Sequence, residues 1–370
     1  MPVRGEAPLL IDGAHGEGGG QILRTALALS AVTGRPLRIE RIRANRRKPG
    51  LAAQHVTAIR AAAALCDARL AGDELDSQQL DFVPRAPVSA GDYVFDVALA
   101  REGGSAGAVS LVLQTVLLPL ALASGRSRVV VRGGTHLSQS PPVDYLCEVW
   151  LPMLKRLGIG ASLTLDAWGW FPVGKGQIAA TIDGRSSTAA SAPLEALDLC
   201  ARGALLRVHG RAVAANLPAH IAQRMSDRAS ALLEPLGTRV DIRPERVRAA
   251  CPGAGIFLTA SYEHALAGFS SLGAIGRPSE AVAEEAAALL LQHHASGAAL
   301  DRHLGDQLLL PLCFAQGPSR YTVEAISRHL ETNVWVVEQF GVASVHLEGA
   351  ASGTGTVTVT PRPSRPGARA

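Results

Sequence analysis

The sequence predicts an α/β (α+β) protein: a large domain of three repeated α/β units, each a small sheet with two helices, plus a smaller inserted α/β domain. Three observations predict this. An apolar helix-like stretch, a glycine and a strand-like stretch recur three times. The capping glycines Gly34, Gly125 and Gly317 are unequally spaced, by 91 and then 192 residues. The chain is 47% hydrophobic and only 18% charged, with 38 glycines among 370 residues, which excludes a coiled coil and a mostly disordered chain.

The three stretches are residues 26–34 followed by a strand over 37–42, residues 117–125 followed by 128–131, and residues 309–317 followed by 320–325. Glycine ends each helix because a left-handed C-cap carries no Cβ penalty, and β-branched residues favour the strand beyond it. A second helix follows each strand, at 54–66, 143–157 and about 333–340. Equal repeats would give equal gaps, so about a hundred extra residues lie between the second and third units. The reading divides the chain into a large catalytic domain (1–184 and 278–348), an insertion (185–277) and a mostly disordered tail (349–370). Within the insertion, strands at 205–211 and near Val240 and Ile256, with a helix over 221–233, give a small α/β domain. The tail turns Gly/Thr-rich from Gly349 and Pro/Arg-rich beyond Pro361.

Five scattered cysteines without a C-x-x-C pair argue against a disulfide framework or structural zinc and fit a reducing, cytoplasmic setting. The N-terminus lacks the apolar core of a signal peptide. The most apolar run, 109–123, is shorter than the ~20 residues a spanning helix needs, so no membrane association is expected. The formal net charge of +4 does not by itself imply nucleic acid as a partner. The basic residues are nearly all arginine: only Lys48, Lys155 and Lys175 are lysines. None has the K-x-D-G context of a nucleotidyl transferase lysine.

Gly169–Lys175 matches half of a phosphate-binding P-loop. However, Gly176 stands where the metal-binding Ser/Thr is needed and a strand follows where a helix is required, so a hairpin turn is predicted. Gly103-Gly-Ser105-Ala-Gly107 matches a nucleophile elbow, which a serine hydrolase would use. It equally suits a serine capping the next helix, or a helix N-terminus offering N–H groups to phosphate. The run Asp12-Gly-Ala-His-Gly-Glu17-Gly-Gly-Gly-Gln-Ile-Leu-Arg24 is more informative. Its glycines let backbone approach a ligand, with Glu17 free for a divalent metal and Arg24 for a phosphate. Arg43-Ala-Asn-Arg46-Arg47-Lys48 puts four cations in six residues at a strand end, as an anion site or a solvated face. His329, beside Arg328 and Thr332 at a helix start, suits a neutral nucleophile next to phosphate binders. No histidine–acid zinc spacing of the H-E-x-x-H kind occurs.

Taken in order, these stretches resemble one family, the RNA 3′-terminal phosphate cyclases. The resemblance is carried by residues 12–24, 43–55 and 103–114, by Gly133-Gly-Thr135 with Pro141-Pro-Val-Asp144, and by Phe171-Pro-Val-Gly. It continues through Leu304-Gly-Asp306-Gln307 and His329-Leu-Glu-Thr-Asn333. It implies that His329 attacks the α-phosphorus of ATP, holds AMP as a phosphoramidate and passes it to an RNA 3′-phosphate, which the 2′-hydroxyl then closes into a 2′,3′-cyclic phosphate. It further implies that Arg24, Arg43, Arg46 and Gln54 line the phosphate region and that Glu17 binds Mg²⁺ or Mn²⁺. Gln114, Pro141, His303, Asp306 and Gln307 would form the nucleotide site, with Pro141 against adenine. This sequence departs from the pattern at His303, where some relatives carry tyrosine, at Asn45 and at His136. RNA bearing a 3′-phosphate and ATP are the implied partners, and the resemblance leaves room for a homodimer. A second class sharing the fold, non-catalytic ribosome-assembly factors, would not need His329, Arg24, Arg43 and Glu17 together.

Overall fold

The computed structural model describes residues 7–102, 105–185, 194–350 and 353–362. The first unit runs β1 (Leu9–Asp12), α1 (Gly20–Thr33), β2 (Leu37–Glu40), α2 (Ala53–Cys66), β3 (Arg69–Ala71) and β4 (Leu80–Val83). Its sheet has the order β1-β2-β4-β3, parallel at β1/β2 and antiparallel at β2/β4 and β3/β4. Helix α1 ends where Gly34 turns left-handed and donates its N–H to Ser30. In β2 the pleat buries Leu37 and Ile39 and turns Arg38 outward to Asp81, at 2.6 Å.

The second unit repeats the order: β5 (Asp92–Asp96), α3 (Val109–Leu122) and β6 (Arg126–Gly133). Helix α4 (Val143–Tyr145) then runs through a π turn (Leu146–Trp150) into α5 (Leu151–Arg156), before β7 (Ala161–Ala167) and β8 (Gly176–Asp183). The sheet is β5-β6-β8-β7, again with one parallel pair followed by two antiparallel ones.

The third unit opens with β9 (Asp198–Leu199). The chain then leaves through β10 (Leu205–Ala215), α6 (Ala219–Leu233), β11 (Arg239–Val247), β12 (Gly253–Tyr262), β13 (Leu266–Leu272) and α7 (Ser279–Ser296). It returns through α8 (Arg302–Gln307), α9 (Leu309–Leu312), β14 (Ser319–Val323), α10 (Arg328–Phe340), β15 (Ala343–Gly349) and β16 (Gly355–Pro361). The sheet β15-β16-β14-β9 reads, from β9, in the same order as the other two. The inserted sheet is β11-β10-β12-β13.

Three sequence expectations need correcting. The insertion spans 200–297 rather than 185–277. Its start shifts because β9 already pairs with β14 in the third sheet. Its end shifts because α7 lays Val282, Ala283, Ala286, Ala287 and Leu290 onto α6, β12 and β13, and only after Gly297 does Leu300 bridge to Val323. The tail is also not mostly disordered over 349–370. Strand β16 lies between β14 and β15, with Val357 and Val359 fully buried, because alternating Val and Thr build a half-buried strand. Residues 351–352 and 363–370 lie outside the described residues. The third-unit helix is also shorter than 309–317: α9 stops at Leu312, just past Pro311.

The four sheets surround helices, and α1 is the centre of the large domain. It packs against α2, α3 and α10, with Ile22, Leu23, Ala26, Leu27 and Leu29 all buried. A helix apolar on every side belongs in a core. Among the described residues no helix is long and apolar enough to cross a membrane. Val357→Ala is expected to cost about 2 kcal/mol, while the exposed Thr360→Ala is near neutral. Equal melting temperatures for the two variants would contradict β16 as a core strand.

Candidate active site

The site assembles where the N-termini of α1 and α10 meet. The glycine-rich loop 13–19 leads into α1, and the arginine loop 41–48 is tied onto it at three places. Arg41 pairs with Asp12, Asn45 Nδ2 donates to the Ala14 carbonyl at 3.1 Å, and Arg46 pairs with Glu17. Arg43 adopts a left-handed φ of 54° and donates to the Gly50 carbonyl at 2.6 Å, which closes the loop on itself. Arg47 and Lys48 are exposed. Half of the basic run is therefore site and half is solvated face.

Helix α10 is capped by Ser327, whose hydroxyl accepts the Leu330 N–H, and this puts His329 in the first turn. Its Nε2 lies 3.0 Å from Glu17 Oε2, off the line of a hydrogen bond, so that buried oxygen keeps no hydrogen-bond partner. The His329 side chain is 45% exposed, within reach of a ligand. Burial lowers its pKa, Glu17 pulls it upward, and Arg24, His303 and Arg46 lower it further. The net shift is downward, which favours the neutral form of the ring. Alongside, His15 stacks on Trp335 with centroids 4.0 Å apart, holding the glycine-rich loop to α10.

Beneath this rim, Arg24 is half-buried in the second turn of α1. Burial pushes its guanidinium down to about 10, with Asp306 and Glu17 opposing the shift. It remains a cation at neutral pH and donates to Gln21 at 2.6 Å. Asp306, beside it, is raised well above the carboxylate range by burial and by Asp301, with Arg24 opposing. A cavity of about 50 Å³ is lined by Arg24, Gln114, Trp150, Asp306, Gln307 and Asn333 among others. Gln114 Nε2, Gln307 Oε1 and Trp150 Nε1 are buried there without partners. Leaving a buried polar group unpaired costs roughly 1–3 kcal/mol, so this wall is built to meet a ligand or an ordered water.

His55 had no role assigned from sequence. Its Nδ1 accepts the Ala52 N–H at 3.0 Å and its Nε2 faces Gly20. A Cβ on Gly20 would fall 2.5 Å from that nitrogen and 2.9 Å from an Arg24 guanidinium nitrogen, so glycine is required for the approach. Burial, Arg24 and Arg43 push His55 down to about 3.

Of the residues singled out from sequence, Glu17, Arg24, Arg46 and His329 come together, and Gln114, Asp306 and Gln307 join Arg24 at the cavity. Arg43 borders them through Arg46. Gln54 commits its amide oxygen to the Ala108 N–H at 3.1 Å, bracing α3. His303 is exposed on α8 and near enough to bear on His329. Pro141 precedes Pro142, which lines the cleft toward the insertion, and is not among the cavity residues. Sequence reasoning passed over Gln21, His55 and Trp150. A histidine among apolar helix residues and a tryptophan in an apolar run carry no local signal.

Gly103 and Gly104 of the elbow motif lie outside the described residues. Ser105 accepts the Gly107 N–H at 3.2 Å, inside its own loop, and α3 takes Ala108 as its N-cap. Ser105 does not cap that helix. Gly169–Lys175 is the turn between antiparallel β7 and β8, as expected.

His55 gives this centre a pH signature. Above pH 6.5 it is neutral folded or unfolded, so its contribution to stability is whole. As pH falls from 6.5 toward 3, the unfolded chain takes up a proton that the folded one refuses, and stability is lost. The melting temperature of His55→Gln is therefore expected to fall less steeply between pH 6.5 and 4 than the parent's. Parallel profiles would refute the buried neutral state.

The RNA 3′-terminal phosphate cyclase family matches residues 15–347. An RNA 3′-terminal phosphate cyclase of Methylococcus capsulatus is 57% identical over 96% of this chain and 97% of its own. Those of Gloeothece citriformis (51%, over 91% and 95%) and Salmonella agona (43%, over 92% and 94%) are similar along nearly the same span. A match this long and this close places the chain in the RNA 3′-terminal phosphate cyclase family.

Proposed function

We propose that this chain is an ATP-dependent RNA 3′-phosphate cyclase acting in the cytoplasm, with His329 as its nucleophile. The observation that carries the reading is the half-exposed His329 ring 3.0 Å from Glu17, whose carboxylate also holds Arg46, with the half-buried Arg24 close by. The names of relatives at 51–57% identity support the overall reaction.

His329 donates its ring lone pair to the α-phosphorus of ATP; an N–P bond forms, pyrophosphate leaves, and the ring proton is lost. An oxygen of the RNA 3′-phosphate then attacks the same phosphorus, breaking the N–P bond and restoring His329. The 2′-hydroxyl finally attacks the activated 3′-phosphorus, gives up its proton and expels AMP. Adenylylation turns a poor leaving group into a good one. Arg24, Arg43 and Arg46 are preorganised cations facing charge that develops on phosphate oxygens.

Glu17 Oε2 is a buried carboxylate oxygen without a hydrogen bond, a fitting single protein ligand for Mg²⁺ or Mn²⁺. Such ions bind through one or two carboxylates, with water and substrate phosphates completing the shell. Among the described residues no cluster of three metal-binding side chains occurs, which suits an ion brought in with the triphosphate. When bound, it would neutralise triphosphate charge.

Incubation with α-labelled ATP and Mg²⁺ is expected to leave an acid-labile, alkali-stable AMP adduct on the parent and none on His329→Ala. An unlabelled parent would overturn the reading. Arg43→Ala is expected to slow cyclisation about a hundredfold. Arg60→Ala, which removes only a surface pair with Asp73 at 2.9 Å, leaves the rate near the parent's. Equal effects would refute the phosphate-site assignment.

A further inference from the structure

Phe171 occupies a position that packing does not explain. It is 77% exposed, and it is the one exposed aromatic side chain among the described residues of a chain that is only 4% aromatic. Its backbone is nevertheless held firmly. The preceding Trp170 is buried, its ring 5.1 Å from His136 and 5.9 Å from Trp168, and its carbonyl accepts the Gly174 N–H at 2.7 Å. A large apolar side chain on a braced turn between β7 and β8 is a fixed platform rather than a loose end.

The surroundings point to what it meets. Val173, 40% exposed, and the exposed Lys175 stand on the same turn. A Cβ on Gly174 would fall 2.9 Å from Ala106, so the turn lies against the segment 105–107. That segment reaches the active site directly. A Cβ on Gly107 would fall 2.9 Å from Gln54, and Ala108 donates to Gln54, the neighbour of His55 beside Arg24. The short helical turn carrying Leu99, 83% exposed, packs on the same segment through Val97. An apolar patch with one aromatic face and one lysine thus lies on elements packed against segment 105–107, which is tied through Gln54 to the helix that carries His55 beside Arg24.

We infer that Phe171 is a stacking platform for one of the last bases of the RNA strand whose 3′-phosphate enters the site, with Leu99 and Val173 as apolar flanks and Lys175 facing a backbone phosphate. This rests on the proposed cyclase activity for the identity of the strand. Single-stranded RNA is held in this way elsewhere: every base has a π-face, so stacking on an aromatic side chain binds without reading sequence.

The test uses the full chain and short oligoribonucleotides ending in a 3′-phosphate, with 2-aminopurine as the last, second-last or third-last base. Parent protein is expected to quench at least one of these probes. Phe171→Ala should lose that quench and bind about tenfold more weakly, with an unchanged melting temperature, while Phe171→Trp restores both. Equal affinity and quench in parent and Phe171→Ala would overturn the inference. So would weaker binding with the quench intact, or a change of oligomeric state in Phe171→Ala, which would make the patch a contact between copies. A parent that binds and quenches RNA but takes no AMP label would defeat the cyclase reading while leaving the platform standing. A parent that binds no RNA would defeat the platform.

Discussion

A single buried asparagine joins the ends of the chain into one site. Asn333 Oδ1 accepts from Thr25 Oγ1 at 2.7 Å and from Gln21 Nε2 at 3.1 Å, and its Nδ2 donates to the Asp306 carbonyl at 3.3 Å. Helix α1 and, some 300 residues further along the chain, α8 and α10 are thereby held at their polar ends. Everything the site needs follows from this. His329 stands one turn before Asn333, Arg24 sits beside Thr25, and Asp306 supplies the carbonyl. A buried polar group must be paired, so the cross-link is satisfied only when the first and third units are docked.

The same centre shows how a cation can be kept without free carboxylates around it. Arg24 is partly withdrawn from water and still charged. Burial and Asp301 drive the adjacent Asp306 toward its neutral form, and burial keeps His55 neutral. Glu17 carries the remaining negative charge at the rim, shared between Arg46 and His329. The arrangement leaves Arg24 without a fully ionised partner of its own, which suits a group whose counterion arrives with the substrate.

The insertion is fastened by comparable logic. Asp144 on α4 is buried, yet His136 and Arg211 hold it below the usual carboxylate range. His136, held neutral by burial, lies 2.7 Å from Asp144 and 2.7 Å from the Thr135 hydroxyl, while Arg211 reaches across from β10 to Asp144 and covers the Trp168 ring at 4.9 Å. His136, a departure from the family pattern in sequence, is thus part of the joint between the second unit and the insertion.

Helix-ending glycines and strand-forming residues were enough to read three repeats and an insertion, and the motifs that carry the family resemblance singled out Glu17, Arg24, Arg46 and His329, because those signals are local in the chain. The insertion's boundaries were not legible, because α7 looks like any amphipathic helix until the sheet it covers is known. The tail misled for a related reason: Val357 and Val359 make a strand only once β14 and β15 flank it. Sequence by itself determined which residue types were available for phosphate chemistry, with 33 arginines, three lysines out of context and His329 beside Arg328 and Thr332. Only the tertiary structure decided which of them meet, which arginines are withdrawn from solvent and which solvated, and which neighbours bear on His329. Pairing and desolvation depend on neighbours brought from distant parts of the chain, and no local pattern encodes them.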